Sequence, residues 1–180
     1  MLNTDTLDYQ PFYCEENIWR LNRSAAFRNT ARDVVFITSV SGACPLFGMK
    51  ACEDAEQAIF WDYHVLLLDR RSTPSHIWDL DSIHGASQPA LAWAQRTLPD
   101  CDHLPSEHHP IFRVVPGEDF ERDFTSDRSH MLGSDGAYLH PPPTWPSPSA
   151  KGTCLARYTS AEVEGPGKVL TLQAFIGWIS

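Results

Sequence analysis

Ile59-Phe60-Trp61-Asp62-Tyr63-His64-Val65-Leu66-Leu67-Leu68-Asp69 is the strongest strand signal in the chain. Ser75-His76-Ile77-Trp78-Asp79-Leu80-Asp81-Ser82 follows it across a short polar link carrying Arg70, Arg71 and Pro74. Two β-prone runs joined this way read as an antiparallel hairpin. Side chains alternate faces along a strand, so Asp62, His64, Leu66 and Leu68 share one face of the first run, and Ser75, Ile77, Asp79 and Asp81 share one face of the second. A turn centred between Arg71 and Ser72 sets His64 directly opposite Asp79, and a two-residue slip sets it opposite Asp81. Pattern alone does not choose between them. Opposed residues have Cβ atoms about 4.5–5.5 Å apart, within reach for a carboxylate to orient an imidazole and support its protonated form. Such a pair also serves as a plain structural ion pair, so chemistry requires a nucleophile nearby. Trp61, Tyr63 and Trp78 are expected to pack in the core on the opposite face.

Upstream, Ile18, Leu21, Asn22 and Ala25 recur at helical spacing, predicting a helix over Glu15–Arg28. Cys14 directly precedes it. Unpaired N–H groups and the helix dipole favour a thiolate there and can hold an oxyanion, whereas the charges of Glu15 and Glu16 oppose a thiolate. A protonated His64 is then the partner the nucleophile needs, and the chain order is Cys–His–Asp. Elsewhere the sequence predicts a buried strand over Val34–Thr38, loop over Ser39–Ala58, a helix over Gln88–Leu98 and a strand over Ile111–Val115. A short helix is expected near Gly117–Phe124, turn-rich chain over Ser126–Ser149, and a last strand or helix within Val169–Phe175.

A length of 180 residues, 42% of them apolar, fits a single domain with one core. We expect one catalytic domain over 1–180, with an irregular lead-in at 1–10 and Pro/Gly-rich loops at 139–167. There are 14 basic against 23 acidic residues, a net charge of −9. That balance argues against nucleic acid and anionic membrane as partners and tolerates a cationic ligand. No apolar run has the length of a membrane span. The five cysteines, Cys14, Cys44, Cys52, Cys101 and Cys154, are odd in number and contain no CxxC pair, so neither a disulfide framework nor structural zinc is expected. With a polar, acidic N-terminus and no signal-like segment, the expectation is reduced thiols in the cytoplasm, the nucleus or both, and a monomer.

Four local strings are more specific. Tyr13-Cys14-Glu15-Glu16-Asn17-Ile18-Trp19, Trp61-Asp62-Tyr63-His64-Val65, Trp78-Asp79-Leu80-Asp81-Ser82 and Ser126-Asp127-Arg128-Ser129-His130-Met131 together closely resemble the protein N-terminal glutamine amidohydrolase family, in its order and at similar spacing. Phe112–Val115, Pro141–Pro143 and Leu170–Phe175 extend the resemblance, while Ser39–Phe60 and Gly85–Pro110 match poorly and Ser149–Gly167 is shortened. The resemblance implies an α+β, papain/transglutaminase-like α-β-α sandwich with a mostly antiparallel sheet. It implies hydrolysis of the side-chain amide of an N-terminal glutamine, on peptides or proteins, to N-terminal glutamate and ammonia, feeding the arginine N-degron pathway. It puts the nucleophile on Cys14, the base on His64 and the orienting carboxylate on Asp79, with no cofactor and no metal.

Selecting an N-terminal residue requires an acceptor for its α-ammonium, because a buried unpaired charge is prohibitive. Glu15, Glu16, Asp62 and Asp81 are the candidates, with Glu16 and Asp62 preferred. The run Ser126-Asp127-Arg128-Ser129-His130, with Ser126 and Asp127 as candidate contacts, is expected to close one wall of the pocket, because so polar a run is costly to bury without partners. Two other classes compete. A metal-dependent hydrolase would use Asp62, His64, Asp79 and Asp81, with Cys101, His103, His108 and His109 as a second cluster. A non-catalytic N-degron reader would need only the amine pocket. Capture of a thioester by an amine, transglutamination, is a variant of the same chemistry.

Overall fold

The computed structural model describes residues 7–52, 54, 56–98, 100–160 and 162–180. Of the irregular lead-in expected at 1–10, residues 1–6 lie outside this set. The fold is α+β. Its centre is β1 (Arg32–Thr38), buried along its whole length. It pairs antiparallel with β4 (His64–Asp69) on one side and β7 (Ile111–Pro116) on the other. Beyond β4 lie β5 (His76–Trp78) and β6 (Ser87–Pro89), and beyond β7 lies β8 (Lys168–Thr171), giving the six-stranded order β6-β5-β4-β1-β7-β8. A separate two-stranded sheet joins β2 (Cys44–Leu46) to β3 (Ile59–Trp61).

Among the described residues five helices, α1 (Cys14–Arg23), α2 (Ala90–Thr97), α3 (Gly117–Asp123), α4 (Ala156–Thr159) and α5 (Leu172–Ile179), cover both faces. Strand alternation sorts the core into two halves. Val34, Phe36, Val65 and Leu67 pack with Ile18, Leu21, Phe120 and Tyr158 on the α1/α3/α4 side. Val35, Ile37, Leu66 and Leu68 pack with Trp93, Phe112, Phe175 and Ile179 on the α2/α5 side. Because both faces are covered, β1 and β4 read as continuous apolar runs. Each fully buried aliphatic side chain contributes about 1.5–3 kcal/mol.

Several expectations are corrected. Ile59–Asp69 is two strands, because the chain changes sheets at Asp62–Tyr63. Asp62 Oδ1 accepts its neighbour's Tyr63 N–H at 2.9 Å, and the Thr38 hydroxyl donates to the Asp62 carbonyl at 3.1 Å. The part of Ser39–Ala58 read as loop contains β2. The first helix begins one residue earlier than expected and stops at Arg23, since Ser24 is extended and the following turn carries Phe27 onto Trp78. The second begins at Ala90, after β6 has used Ser87–Pro89 as an edge strand. β8 passes directly into α5, so Val169–Phe175 holds both a strand and a helix start.

The hairpin register is also shifted. Leu67 faces Trp78 and Asp69 faces His76, two residues from the expected pairing. Carried on, that register would oppose His64 to Asp81, but pairing ends at Trp78 and the chain turns over Asp79.

Helix α1 is fixed near both of its ends. Asn17 exchanges hydrogen bonds with the Gln10 backbone, accepting from its N–H and donating to its carbonyl, both at 2.9 Å. Asn22 donates to the Gly117 carbonyl at 2.8 Å and accepts from buried Arg32 at 2.6 Å. A Cβ at Gly117 would stand 2.6 Å from both Asn22 Oδ1 and Arg32 Cγ, so only glycine admits this junction between α1 and α3.

Candidate active site

Cys14 is the first residue of α1 and is 5% exposed. In the first helical turn the Glu16 and Asn17 N–H groups bond to the Tyr13 carbonyl, and the N–H groups of Cys14 and Glu15 stand ahead of that bonding at the open end of the helix. Cys14 packs in the same apolar cluster as Tyr63 and Val65, the two residues that flank His64. Burial pushes the thiol well above its ordinary value. Neighbouring Glu15, Asp81 and Asp62 push the same way, and the Val65 N–H opposes them.

His64 opens β4, fully buried. Its Nε2 is 3.0 Å from Asp79 Oδ1, and its Nδ1 is buried with no hydrogen-bond partner. Since a carboxylate only accepts, the proton sits on Nε2 and the lone pair on Nδ1. Asp79 is held from two directions: Trp93 Nε1 of α2 donates to Oδ2 at 2.9 Å, and the Asp81 N–H to Oδ1 at 3.1 Å. Burial lowers the affinity of His64 for its second proton, but Asp79 outweighs burial and the net shift is upward. In Asp79 burial acts upward, and His64, Trp93 and the Asp81 N–H overcome it to give a lowered carboxyl. The two directions agree.

Asp81 is buried nearby, with Oδ1 accepting from the Tyr9 hydroxyl at 2.7 Å. Burial raises its carboxyl above the ordinary range, although His64 opposes that shift. Donor atoms of His64, Asp79 and Asp81 lie within 4.8 Å of one another. Asp62 stands outside that trio, and among the described residues no second group gathers around Cys101–His109. His108 instead pairs with Ser41 at 2.8 Å, and His109 with the Leu104 carbonyl at 3.0 Å.

A cavity of about 700 Å³ opens over Cys14. Asp62, Trp61, Tyr63, His130 and Leu139 are among its walls. Phe12, at φ 68°, stacks on His140 at 3.6 Å between ring centres, and Tyr13 donates to the His140 carbonyl at 3.0 Å. The segment after Leu139 is thereby fastened beside the nucleophile.

The remaining candidates divide. Glu16 is fully buried and fully occupied: Arg128 grips both oxygens at 2.6 and 2.7 Å, and Trp145 Nε1 donates at 3.1 Å. Its expected role as an amine acceptor gives way to an internal ion pair. Glu15, also buried, accepts from the Tyr63 hydroxyl at 3.1 Å and from the Cys14 thiol at 3.8 Å, and stands 3.3 Å from His130 Nε2. Asp62 is exposed to the cavity. Asp127 ties down its own loop, accepting from the Ser129 and Gly152 N–H groups at 3.1 and 2.9 Å. Ser126 is buried beneath that loop, and neither it nor Asp127 lines the cavity. From the same string it is His130 and Met131 that reach the wall. Tyr63 and Trp78 do pack in the core, but on the α1 side with Cys14; Tyr63 lines the cavity, and Trp61 stacks near His64 on the cavity wall.

Tyr63 and Trp93 are the side chains at this site that sequence reasoning missed; His130 reaches the wall as expected, while the pairing of Arg128 with Glu16 was not foreseen. A signal existed for that pairing. A pair of glutamates at the start of a buried helix requires cations, and Ser126–Met131 carries an arginine and a histidine in one polar string.

The family model described as N-terminal glutamine amidase matches residues 9–179. A Caenorhabditis elegans protein named protein N-terminal glutamine amidohydrolase is 34% identical over 151 residues, 81% of this chain and 80% of its own length. Its namesakes from Drosophila ananassae and Drosophila melanogaster are 32% and 31% identical, each covering 93% of this chain and 86% of their own. With Cys14, His64 and Asp79 lying inside the matched span, the chain belongs to the N-terminal glutamine amidase family.

Proposed function

We propose that this protein hydrolyses the side-chain amide of an N-terminal glutamine, releasing ammonia and leaving an N-terminal glutamate, as one catalytic domain of papain/transglutaminase-like type. The observation that carries this reading is the buried His64–Asp79 pair, whose close neighbour Asp81 also acts on the Cys14 thiol at the head of α1. Cys14 passes its proton to His64 Nδ1, and the thiolate attacks the amide carbon. The first N–H groups of α1, Cys14's own among them, face the developing oxyanion. His64 returns the proton to the departing nitrogen, ammonia leaves and a γ-thioester remains. Water then attacks with His64 accepting its proton. Glutamate is released and the thiol is restored. Asp79 holds the imidazole tautomer and supports its charge throughout.

For the α-ammonium, the cavity favours Asp62. Glu16 is spent on Arg128, Glu15 on Tyr63 and His130, and Asp81 on Tyr9, whereas Asp62 faces the cavity with the Tyr63 N–H as a donor on one oxygen. A product with N-terminal glutamate suits the arginine N-degron pathway, which places the enzyme in cytoplasm or nucleus. Among the described residues no helix is long and apolar enough to cross a membrane. The proximity of His64, Asp79 and Asp81 is the observation that favours a metal-dependent reading.

Mass spectrometry of Gln-initiated and acetyl-Gln-initiated peptides after incubation tests the proposal, with a gain of about 1 Da expected on the free-amine peptide alone as NH₂ is replaced by OH. Abolition by a thiol alkylator and indifference to a chelator are expected. Chelator sensitivity would transfer the reading to a metal hydrolase, and binding without mass change to a reader.

A further inference from the structure

Glu15 presents a difficulty for the chemistry just described. Its carboxylate is 3.8 Å from the Cys14 sulfur, fully buried, and covered by the Tyr63 hydroxyl. A negative charge at that distance in a water-poor site opposes thiolate formation. Glu15 Oε1 lacks a well-aligned hydrogen bond but faces His130 Nε2 at 3.3 Å. His130 is delivered there by the short helical turn Ser129–Met131. That turn follows Arg128 in the left-handed conformation, and Arg128 is itself locked onto Glu16.

We infer that His130 is a positioning residue for the nucleophile: paired with Glu15, it draws that carboxylate's charge away from the Cys14 sulfur so that the thiolate can form. The inference rests on Cys14 being the nucleophile. The groups that face His130 are Glu15 and Glu16 from α1, and Asp62 and Tyr63 from the link into β4. Those that act on Cys14 are Glu15, Asp62, Asp81 and the Tyr63 and Tyr9 phenols, together with His64 as its proposed proton acceptor. Burial disfavours the imidazolium of His130, but Glu15 more than offsets it, and the net shift is upward. His130 therefore adds a second positive charge, beside that of His64 once protonated, to a site otherwise rich in acids.

The readout is the pH dependence of iodoacetamide capture at Cys14, followed by peptide mass spectrometry so that the other four cysteines do not interfere. His130→Gln should move the half-maximal pH for capture upward by about one unit, the order expected when a favourable charge near a titrating site is lost. Glu15→Gln in the His130→Gln background should bring it back to or below the wild-type position. The alkaline limb of the deamidation rate should follow the same displacements. A His130→Gln profile superimposable on wild type overturns the inference, as does a double variant no different from the single. Full activity in Cys14→Ser would instead remove the nucleophile assignment. The capture experiment does not depend on turnover, so the two failures are distinguishable.

Discussion

Arg128→Met is the perturbation whose cost can be worked most directly from contacts. Wild-type Arg128 places Nε and Nη2 on the two oxygens of Glu16 at 2.6 and 2.7 Å, and also donates to the Pro143 and Trp145 carbonyls at 3.2 and 2.8 Å. The glutamate side chain has no solvent exposure and the arginine only 10%. Removing the guanidinium leaves a buried carboxylate with the Trp145 indole N–H as its remaining donor. Breaking a buried pair from one side costs about 3–5 kcal/mol. In a chain of this size each kcal/mol moves Tm by roughly 2–4 °C, so a fall of about 6–20 °C is expected. Urea denaturation of wild type, Arg128→Met, Glu16→Gln and the double variant forms a complete cycle. The double should regain at least about half of the Arg128→Met loss, since a neutral amide no longer requires a counter-charge. A loss below about 1 kcal/mol in Arg128→Met, or strict additivity in the cycle, would refute the view that this pair clamps the 126–146 segment to the head of α1.

Four further outcomes are expected. Cys14→Ser should keep the fold, as read by circular dichroism, and lower turnover at least about 10³-fold, while Cys44, Cys52, Cys101 and Cys154 should each accept Ser within a few-fold of wild-type turnover. Asp79→Asn should reduce kcat more than Asp81→Asn, because Asp79 holds the imidazole at 3.0 Å whereas Asp81 is bonded to Tyr9; the reverse order in steady-state assays would sink the triad as drawn. Asp62→Asn should raise KM for free-amine peptides by roughly 10–150-fold and narrow their advantage over acetylated ones, the worth of a charge-assisted hydrogen bond of about 1.5–3 kcal/mol. The His64–Asp79 pair also predicts a pH dependence of stability. His64 is raised above 6.5, so its contribution is complete below that pH and is lost as pH rises through its folded value; Asp79 is lowered below 3.8, so its share is present above that pH and is lost on acidification. The stability advantage of wild type over Asp79→Asn should therefore peak between about pH 4 and 6.5 and shrink towards pH 9 in denaturation series, and a flat difference would count against the pair.

The sequence made some of this legible because the information was local. Continuous apolar runs marked β1 and β4, and the strings around Cys14, His64 and Asp79 carried their own context. The register was not legible, because turn geometry decides it. Here the six residues between the paired ends and the departure of the chain at Asp79 let the aspartate reach His64 from outside the ladder. Partners such as Glu16 and Arg128, 112 positions apart, leave no periodic trace, so Glu16 read as a free acceptor. Trp93 was hidden for a different reason: an indole on an amphipathic helix looks like core until the carboxylate beneath it is known.

The two margins of the main sheet differ in chemistry from its centre. At one, β6 is three residues long and ends in Pro89, which cannot offer an N–H to an approaching strand. At the other, β8 opens with Lys168, whose ammonium sits 4.0 Å from the centre of the Trp178 ring, and its chain folds at once into α5. A neighbouring polypeptide seeking to extend the sheet meets a missing donor on one flank and a charge with a helix on the other. Such margins discourage the strand-by-strand stacking that seeds aggregates. An enzyme that meets peptide ends can thus leave its cleft open to extended chains without its sheet becoming a template for them.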